Sequence, residues 1–361
     1  MLPNGRRLGA HLPLGSGMVR AADRAARIGA SALQVFSDNP ASWRRRPTLP
    51  RELPAFRDRL VEHDIAPLSI HAPYLVNLAG PVPDLHERSV MVLANELRVA
   101  AAYGARYVNV HVGSHRGAGP DAGLERLAEG IRQVFELVAM DAGPDAGLGA
   151  DAGPGPNAVP RPGPDRGPDP DEVILVLENG AGGGFGMGAR FEELRRIDEA
   201  VAGTGVDRSR FGYCLDTAHA WGAGYRIDTP KGVDETLAEF EDLLGLRRLH
   251  MVHLNDSRAE CGSLSDRHEH VGAGMIGALG LGRVVTHPAL DHVTYILETP
   301  GMEAGYDEIN IRRVLDMAAG RPLADLPPEA FAARASRGRS APAEDPDNPP
   351  VSGPTHRRVM P

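Results

Sequence analysis

Residues 107–111 read YVNVH, and the alternation in this short run decides between folds. In an extended strand successive side chains point to opposite faces, so Tyr107, Asn109 and His111 share one face while Val108 and Val110 take the other. Seven other short apolar runs flank it: Leu8–His11, Ala32–Phe36 and Leu68–His71 before it, then Val173–Glu178, Phe211–Asp216, Leu249–Leu254 and Tyr295–Glu298 after it. Helical apolar spacing follows them, most clearly over 18–29, 52–63, 85–103, 121–139, 190–202, 232–245 and 306–319. Strands alternating with helices require a parallel sheet with crossovers. Eight such units predict an α/β single domain closed into a TIM (β/α)₈ barrel. No G-x-G-x-x-G follows the first run, and the Gly-rich GAGGGFGMG at 180–188 comes too late in the chain for a dinucleotide-binding fold.

The barrel is expected over residues 1–320, interrupted at 141–170. Half of the residues in that stretch are Gly or Pro and few could pack, so it reads as a disordered surface loop at the end of the barrel away from the strand ends. A linker between two domains is the other reading. Residues 321–361 are rich in Pro, Ala and Arg without apolar periodicity and are expected to be a disordered tail. Only two cysteines occur, Cys214 and Cys261, which is no disulfide scaffold and fits a reducing compartment. The N-terminus lacks the apolar stretch of a secretion signal and no run is long enough to span a membrane, so a cytoplasmic protein is expected. The formal charge of −9 argues against a generic nucleic-acid binder held by a basic surface. Divalent ions bound to buried carboxylates would offset much of that charge, so the total decides little.

The ends of the apolar runs carry the chemistry. His71, His111, Glu178, Asp216 and Glu298 each terminate a different run, and His253 lies at the end of another. In a barrel these ends converge on one face, where active sites are built. A lone His at a strand end is usually a satisfied core residue, but six strand ends in eight carrying His, Asp or Glu make independent accidents improbable, and unpaired buried carboxylates are costly. In CLDTAHAWGAGY, His219 follows Asp216 by three residues at the start of a loop; in SDRHEHVGAGMIG, Asp266 and His268 are two apart, on one side of an extended loop. Five imidazoles mixed with four carboxylates suit zinc or manganese better than magnesium or calcium, and nine ligands exceed the needs of one ion. With carboxylates bridging, they suffice for about three ions.

At these residues the sequence resembles the endonuclease IV (deoxyribonuclease IV) family. IHAPYLVNL, VNVHVGSH, LENGAGGG, CLDTAHAWGAGY, HLNDS, SDRHEHVGAGMIG and ILET carry the resemblance, over about residues 6–319 apart from 141–170. It implies a TIM barrel holding three Zn²⁺ per chain, with Mn²⁺ as an alternative at one or more sites. One ion would be held by His71, His111 and Glu178, a second by Glu178, Asp216, His253 and Glu298, and the third by His219, Asp266 and His268. It also implies hydrolysis of duplex DNA on the 5′ side of abasic sites, leaving a 3′-hydroxyl, with trimming of blocked 3′ ends in many members, and a monomer. The expected catalytic carboxylates are Glu178, which bridges two ions, and Glu298, which orients the attacking water or accepts its proton. Tyr74 and Leu75 match the loop that the family inserts into DNA at the lesion, the alternative for Tyr74 being packing at the barrel rim. The other inserted loop departs from the family: an intercalating Arg is replaced by Ala41, and the nearby Arg44, Arg45 and Arg46 are candidates for backbone contacts or a solvated face.

Three rivals stand against this reading. A sugar isomerase or epimerase on the same barrel would need only Glu178, Asp216, His253 and Glu298 around one ion, leaving His71, His111 and the His219/Asp266/His268 set without a purpose. A damaged-DNA binding protein would have no chemical use for the full ligand set. A metallohydrolase of similar architecture could act on a different phosphodiester.

Overall fold

A computed structural model of the chain describes residues 2–141, 172–301 and 304–332. Eight parallel strands close into a barrel: β1 (Arg7–His11), β2 (Ala32–Val35), β3 (Leu68–His71), β4 (Ala105–His111), β5 (Ile174–Glu178), β6 (Phe211–Asp216), β7 (Leu249–His253) and, after a two-residue ribbon of β8 (Asp256–Ser257) with β9 (His268–Glu269), β10 (Thr294–Leu297). Strand β10 pairs with both β7 and β1, which closes the ring and leaves no open edge.

The alternation in YVNVH is realised. Val108 and Val110 join the large core between strands and helices, whereas Tyr107 packs against the barrel interior formed by Ala32, Val176, Cys214, Met251 and Ile296. Gly9 is forced by this closure, since a Cβ there would run into the carbonyl of Ala32 on the neighbouring strand. The outer layer comprises α1 (Met18–Arg27), α2 (Leu53–Glu62), α3 (Pro83–Tyr103), α4 (Pro120–Asp141), α5 (Phe191–Gly203), α7 (Pro230–Leu244), α8 (Gly277–Thr286) and α9 (Asp307–Ala318), with a short α6 (Thr217–Gly222) inserted after β6. Proline at the first turn starts α3 and α7, where its missing N–H costs nothing, and Thr229 Oγ1 accepts from Gly232 N to cap α7.

Two local expectations change. His219 lies not in a loop but within α6, because the Asp216 side chain caps that helix by accepting from His219 N at 2.9 Å. The C-terminal stretch from 321 was expected to be disordered throughout, yet residues 321–332 pack on the barrel and end in α10 (Pro328–Ala332) with Ala330 buried. They dock through a few specific contacts rather than a periodic apolar face, so periodicity gave no sign of them. The remainder of the tail and the 141–170 stretch beyond Asp141 lie outside the described residues. Among the described residues no helix is long and apolar enough to cross a membrane, and both cysteines are free thiols.

Candidate metal centre

All nine predicted ligands meet at the C-terminal mouth of the barrel, around the fully buried Glu178. Glu178 ends β5, and its Oε2 lies 3.4 Å from His111 Nε2 at the end of the adjacent β4 and 3.6 Å from His71 Nε2 at the end of β3. Its Oε1 lies 3.4 Å from His253 Nδ1 and 3.2 Å from His219 Nδ1. Asn109, on the same inward face as His111, donates to Glu178 Oε2 at 2.5 Å and fixes the carboxylate in the centre.

Three groups of donor atoms fall within 4.8 Å of one another: His71, His111 and Glu178; Glu178, Asp216, His253 and Glu298; and Asp216, His219 and His268. The first two coincide with the sets expected from the sequence. The third differs from the expected set: it contains Asp216 in place of Asp266, and Asp216 Oδ2 is 3.5 Å from His268 Nε2, so this carboxylate faces two groups at once. Asp266 approaches the same imidazoles from the solvent side, 3.4 Å from His219 Nε2 and 3.1 Å from His268 Nε2.

The donor atoms are aimed inward by their other ends. His71 Nδ1 is held by the carbonyl of Ala72 at 2.6 Å, His219 Nδ1 by that of Asn179 at 2.9 Å, and His268 Nδ1 by that of Glu298 at 3.0 Å. Such bonds fix the tautomer of the neutral ring, in which the opposite nitrogen is a lone-pair donor. His253 Nε2 lies 3.1 Å from Gln34 Oε1. The inward atoms His71 Nε2, His253 Nδ1, His268 Nε2 and Glu178 Oε1 are buried and make no hydrogen bond within the protein. Orphaned buried polar atoms are rare and costly. Here they all face the three groups, and the nitrogen–oxygen donor set fits zinc or manganese.

The electrostatics agree with a cation site. Burial opposes ionisation of Glu178, yet His111 and His253 hold its carboxyl well below the usual range. Glu298 is likewise held low against burial, chiefly by His253 and its hydrogen bond to His11. Burial also opposes charging of His268, but Asp216 and Asp266 push it up to about 9, and Asp216 raises His219 in the same way. The pocket is rich in negative charge and gathers positive charge where it can.

Several site residues escaped the sequence reading. His11 ends β1 as the ligands end their strands, and its Nδ1 lies 2.9 Å from Glu298 Oε1. Gln34 donates to the same oxygen at 2.8 Å, while Asn255 donates to Asp216 Oδ2 at 2.7 Å. The strand-end position could have revealed His11; the neutral amides carry no comparable signal.

The predicted nucleic-acid contacts divide. Tyr74 is 65% exposed at the edge of the site, its ring against Phe36, His71 and His111, and Leu75 beside it is half-buried. Arg44 and Arg46 are exposed. Arg45 instead turns inward: it pairs with the buried Glu96 at 3.3 Å and donates to the carbonyls of Asn39 and Ser42, which spends its guanidinium on shaping the loop. Arg20, Arg46, Arg51, Arg258 and Arg267 line the wide groove that crosses the donor groups. They stand among four carboxylates of the same lining, Asp38, Glu52, Asp266 and Glu298, so the groove offers cationic side chains despite the acidic total.

A family model described as xylose isomerase-like TIM barrel matches residues 22–319, which sets the class of the fold. Within that class the chain is 37% identical over 312 residues to a probable endonuclease 4 of Methanoculleus marisnigri, covering 86% of this chain and 98% of the relative. It is 36% identical to a probable endonuclease 4 of Halothermothrix orenii over 85% of this chain and 99% of that one. The crystal structure of endonuclease IV from Thermus thermophilus superposes with a TM-score of 0.68 at 34% identity, covering 87% of this chain and 99% of that one. The chain belongs to the endonuclease IV family. A D-tagatose 3-epimerase-like protein, 14% identical with a TM-score of 0.58 over 87% of this chain and 97% of that one, shares the barrel alone.

Proposed function

We propose that this protein is a DNA-repair endonuclease that hydrolyses the phosphodiester 5′ to an abasic site in duplex DNA, leaves a 3′-hydroxyl, and trims blocked 3′ ends. The observation that carries the reading is the convergence of three donor groups on Glu178 and Asp216. A single-metal isomerase would use only the group of Glu178, Asp216, His253 and Glu298. It gives no reason for the orphaned nitrogens of His71 and His268. The relatedness to proteins named probable endonuclease 4 supports the same choice.

The residues fit three divalent ions, zinc first: one held by His71, His111 and Glu178, one by Glu178, Asp216, His253 and Glu298, one by His219, Asp266 and His268 with Asp216 alongside. Ions there would supply Lewis-acid stabilisation of a phosphoryl oxygen and bring the pKa of water down to roughly 7. The chain's own part is positioning. Glu178 bridges the first two groups and sets their separation. Glu298, held by His11 and Gln34, orients the attacking water and takes its proton. Tyr74 and Leu75 stand at the rim, where they would fill the gap left by an extruded abasic nucleotide, the residue that costs least to unstack. Arg44 and the arginines lining the groove would contact backbone phosphates, with Arg45 holding the loop from below. The chain is expected to act as a monomer in the cytoplasm.

Incision of a duplex with one abasic analogue tests the proposal. Activity should vanish after chelation and return with zinc, and Glu298→Gln should lose about 10²-fold or more in rate. Full activity in the presence of chelator, or wild-type rate in Glu298→Gln, contradicts it.

A further inference from the structure

The loop that carries Asp266 and His268 runs from β7 to α8, and its regular structure is limited to the β8–β9 ribbon. Its far end is secured by the Asp256 carboxylate, which accepts from Gly274 at 2.9 Å, Ile276 at 3.0 Å and Gly277 at 3.2 Å. Its middle, directly after His268, is held from outside the barrel. Helix α9 provides half of that support: Asn310 Oδ1 accepts from Val271 N at 3.0 Å, and Arg313 Nε donates to Val271 O at 2.6 Å. Residues 321–332 provide the other half. The carbonyl of Ala330 lies 3.0 Å from Nε2 of the fully buried His270. The rings of Phe331 and Tyr306 both pack nearly perpendicular to the same imidazole, at 5.9 Å and 5.8 Å. Leu323 closes over Gly272, and Arg313 reaches the carbonyl of Ala324 as well.

His270 makes this contact specific. Its Nδ1 accepts from Asn310 Nδ2 at 2.9 Å, so Nε2 carries the hydrogen and donates it to Ala330. Without the segment, that N–H, two residues from a candidate metal ligand, loses its acceptor in the protein. The segment lies beyond residues 22–319, the part matched by the family model.

We infer that residues 321–332 are a brace that holds the His268 loop in register, so that occupancy of the His219/Asp266/His268 group depends on this C-terminal segment. The dependence of occupancy rests on the metal reading above; the bracing of the loop does not. The test compares the full chain with chains ending at Ala332 and at Gly320, by amide hydrogen exchange and by zinc retained after dialysis. The chain ending at Ala332 should match the full chain. The chain ending at Gly320 should exchange residues 268–274 about ten-fold faster or more while β5 stays protected, and should retain roughly one zinc fewer. If that truncation fails to fold, Phe331→Ala in the full chain decides, with faster exchange at 268–274 that Phe331→Leu largely restores. Unchanged exchange at 268–274 in a folded chain ending at Gly320, or in Phe331→Ala, overturns the brace. Faster exchange together with no zinc bound even by the full chain would leave the brace standing and remove the metal reading instead.

Discussion

Gln34 Nε2 donates to Glu298 Oε1 at 2.8 Å, tying an uncharged residue of the second strand to a carboxylate at the end of the last. The same amide presents its Oε1 to His253 Nε2 at 3.1 Å, so one side chain orients two donors of one group. Partners of metal ligands commonly contribute about 10- to 100-fold in affinity or rate. Gln34→Leu should therefore lower zinc affinity or incision rate by that factor and leave the first group's occupancy intact, as measured by metal content and single-turnover kinetics.

Tyr74 should matter for substrate and not for metal. Its ring is mostly exposed and rests on the site from outside. Tyr74→Ala should raise KM for an abasic duplex by about ten-fold, in line with the contribution of one stacking aromatic, with unchanged zinc content and Tm. An unchanged KM would return Tyr74 to the role of rim packing.

Metal uptake should be pH-dependent with a definite sign. In the metal-free protein Asp216 and Asp266 hold the His268 imidazole protonated up to about pH 9, and a protonated imidazole cannot ligate. Apparent zinc affinity should climb as pH rises toward 9 and then level off, with protons released on binding. Calorimetry in buffers of different ionisation enthalpy measures both. Affinity that is flat from about pH 6 to about pH 9 would contradict the assignment of His268.

Much of this was written in the strands. The runs ending in His71, His111, Glu178 and Asp216 are barrel strands that end at those residues, and the C-terminal ends of barrel strands converge on one face. Glu298 follows the last residue of β10 directly. Helix α8, GALGLGRVVT, was missed because three glycines in ten residues lower its helical propensity. Arg45 sat in a run of three arginines that read as one surface. Its partner Glu96 is far away in sequence, so only tertiary packing could separate it from Arg44. The Ala330–His270 contact was invisible for the same reason.

Glu96 supplies a stability prediction apart from the metals. Burial raises its carboxyl to about 7, against the lowering effects of Ser37 and Arg45. Below its ordinary value of 4.5 both folded and unfolded chains are protonated and nothing is lost. Between there and about 7 the unfolded chain ionises first, so stability falls as pH rises, by on the order of 3 kcal/mol in full. Glu96→Gln lacks this pH dependence. The stability of wild type relative to the variant should decline from about pH 5 to about pH 8 in denaturant titrations, and a difference independent of pH would refute the shift.

The central claim is that nine imidazoles and carboxylates surround three cations. Anomalous diffraction at the zinc edge from crystals of the zinc-loaded protein tests it most directly. Three peaks are expected: one among His71, His111 and Glu178, one among Glu178, Asp216, His253 and Glu298, and one among His219, Asp266 and His268. A single peak confined to Glu178, Asp216, His253 and Glu298, as an isomerase would give, contradicts the account.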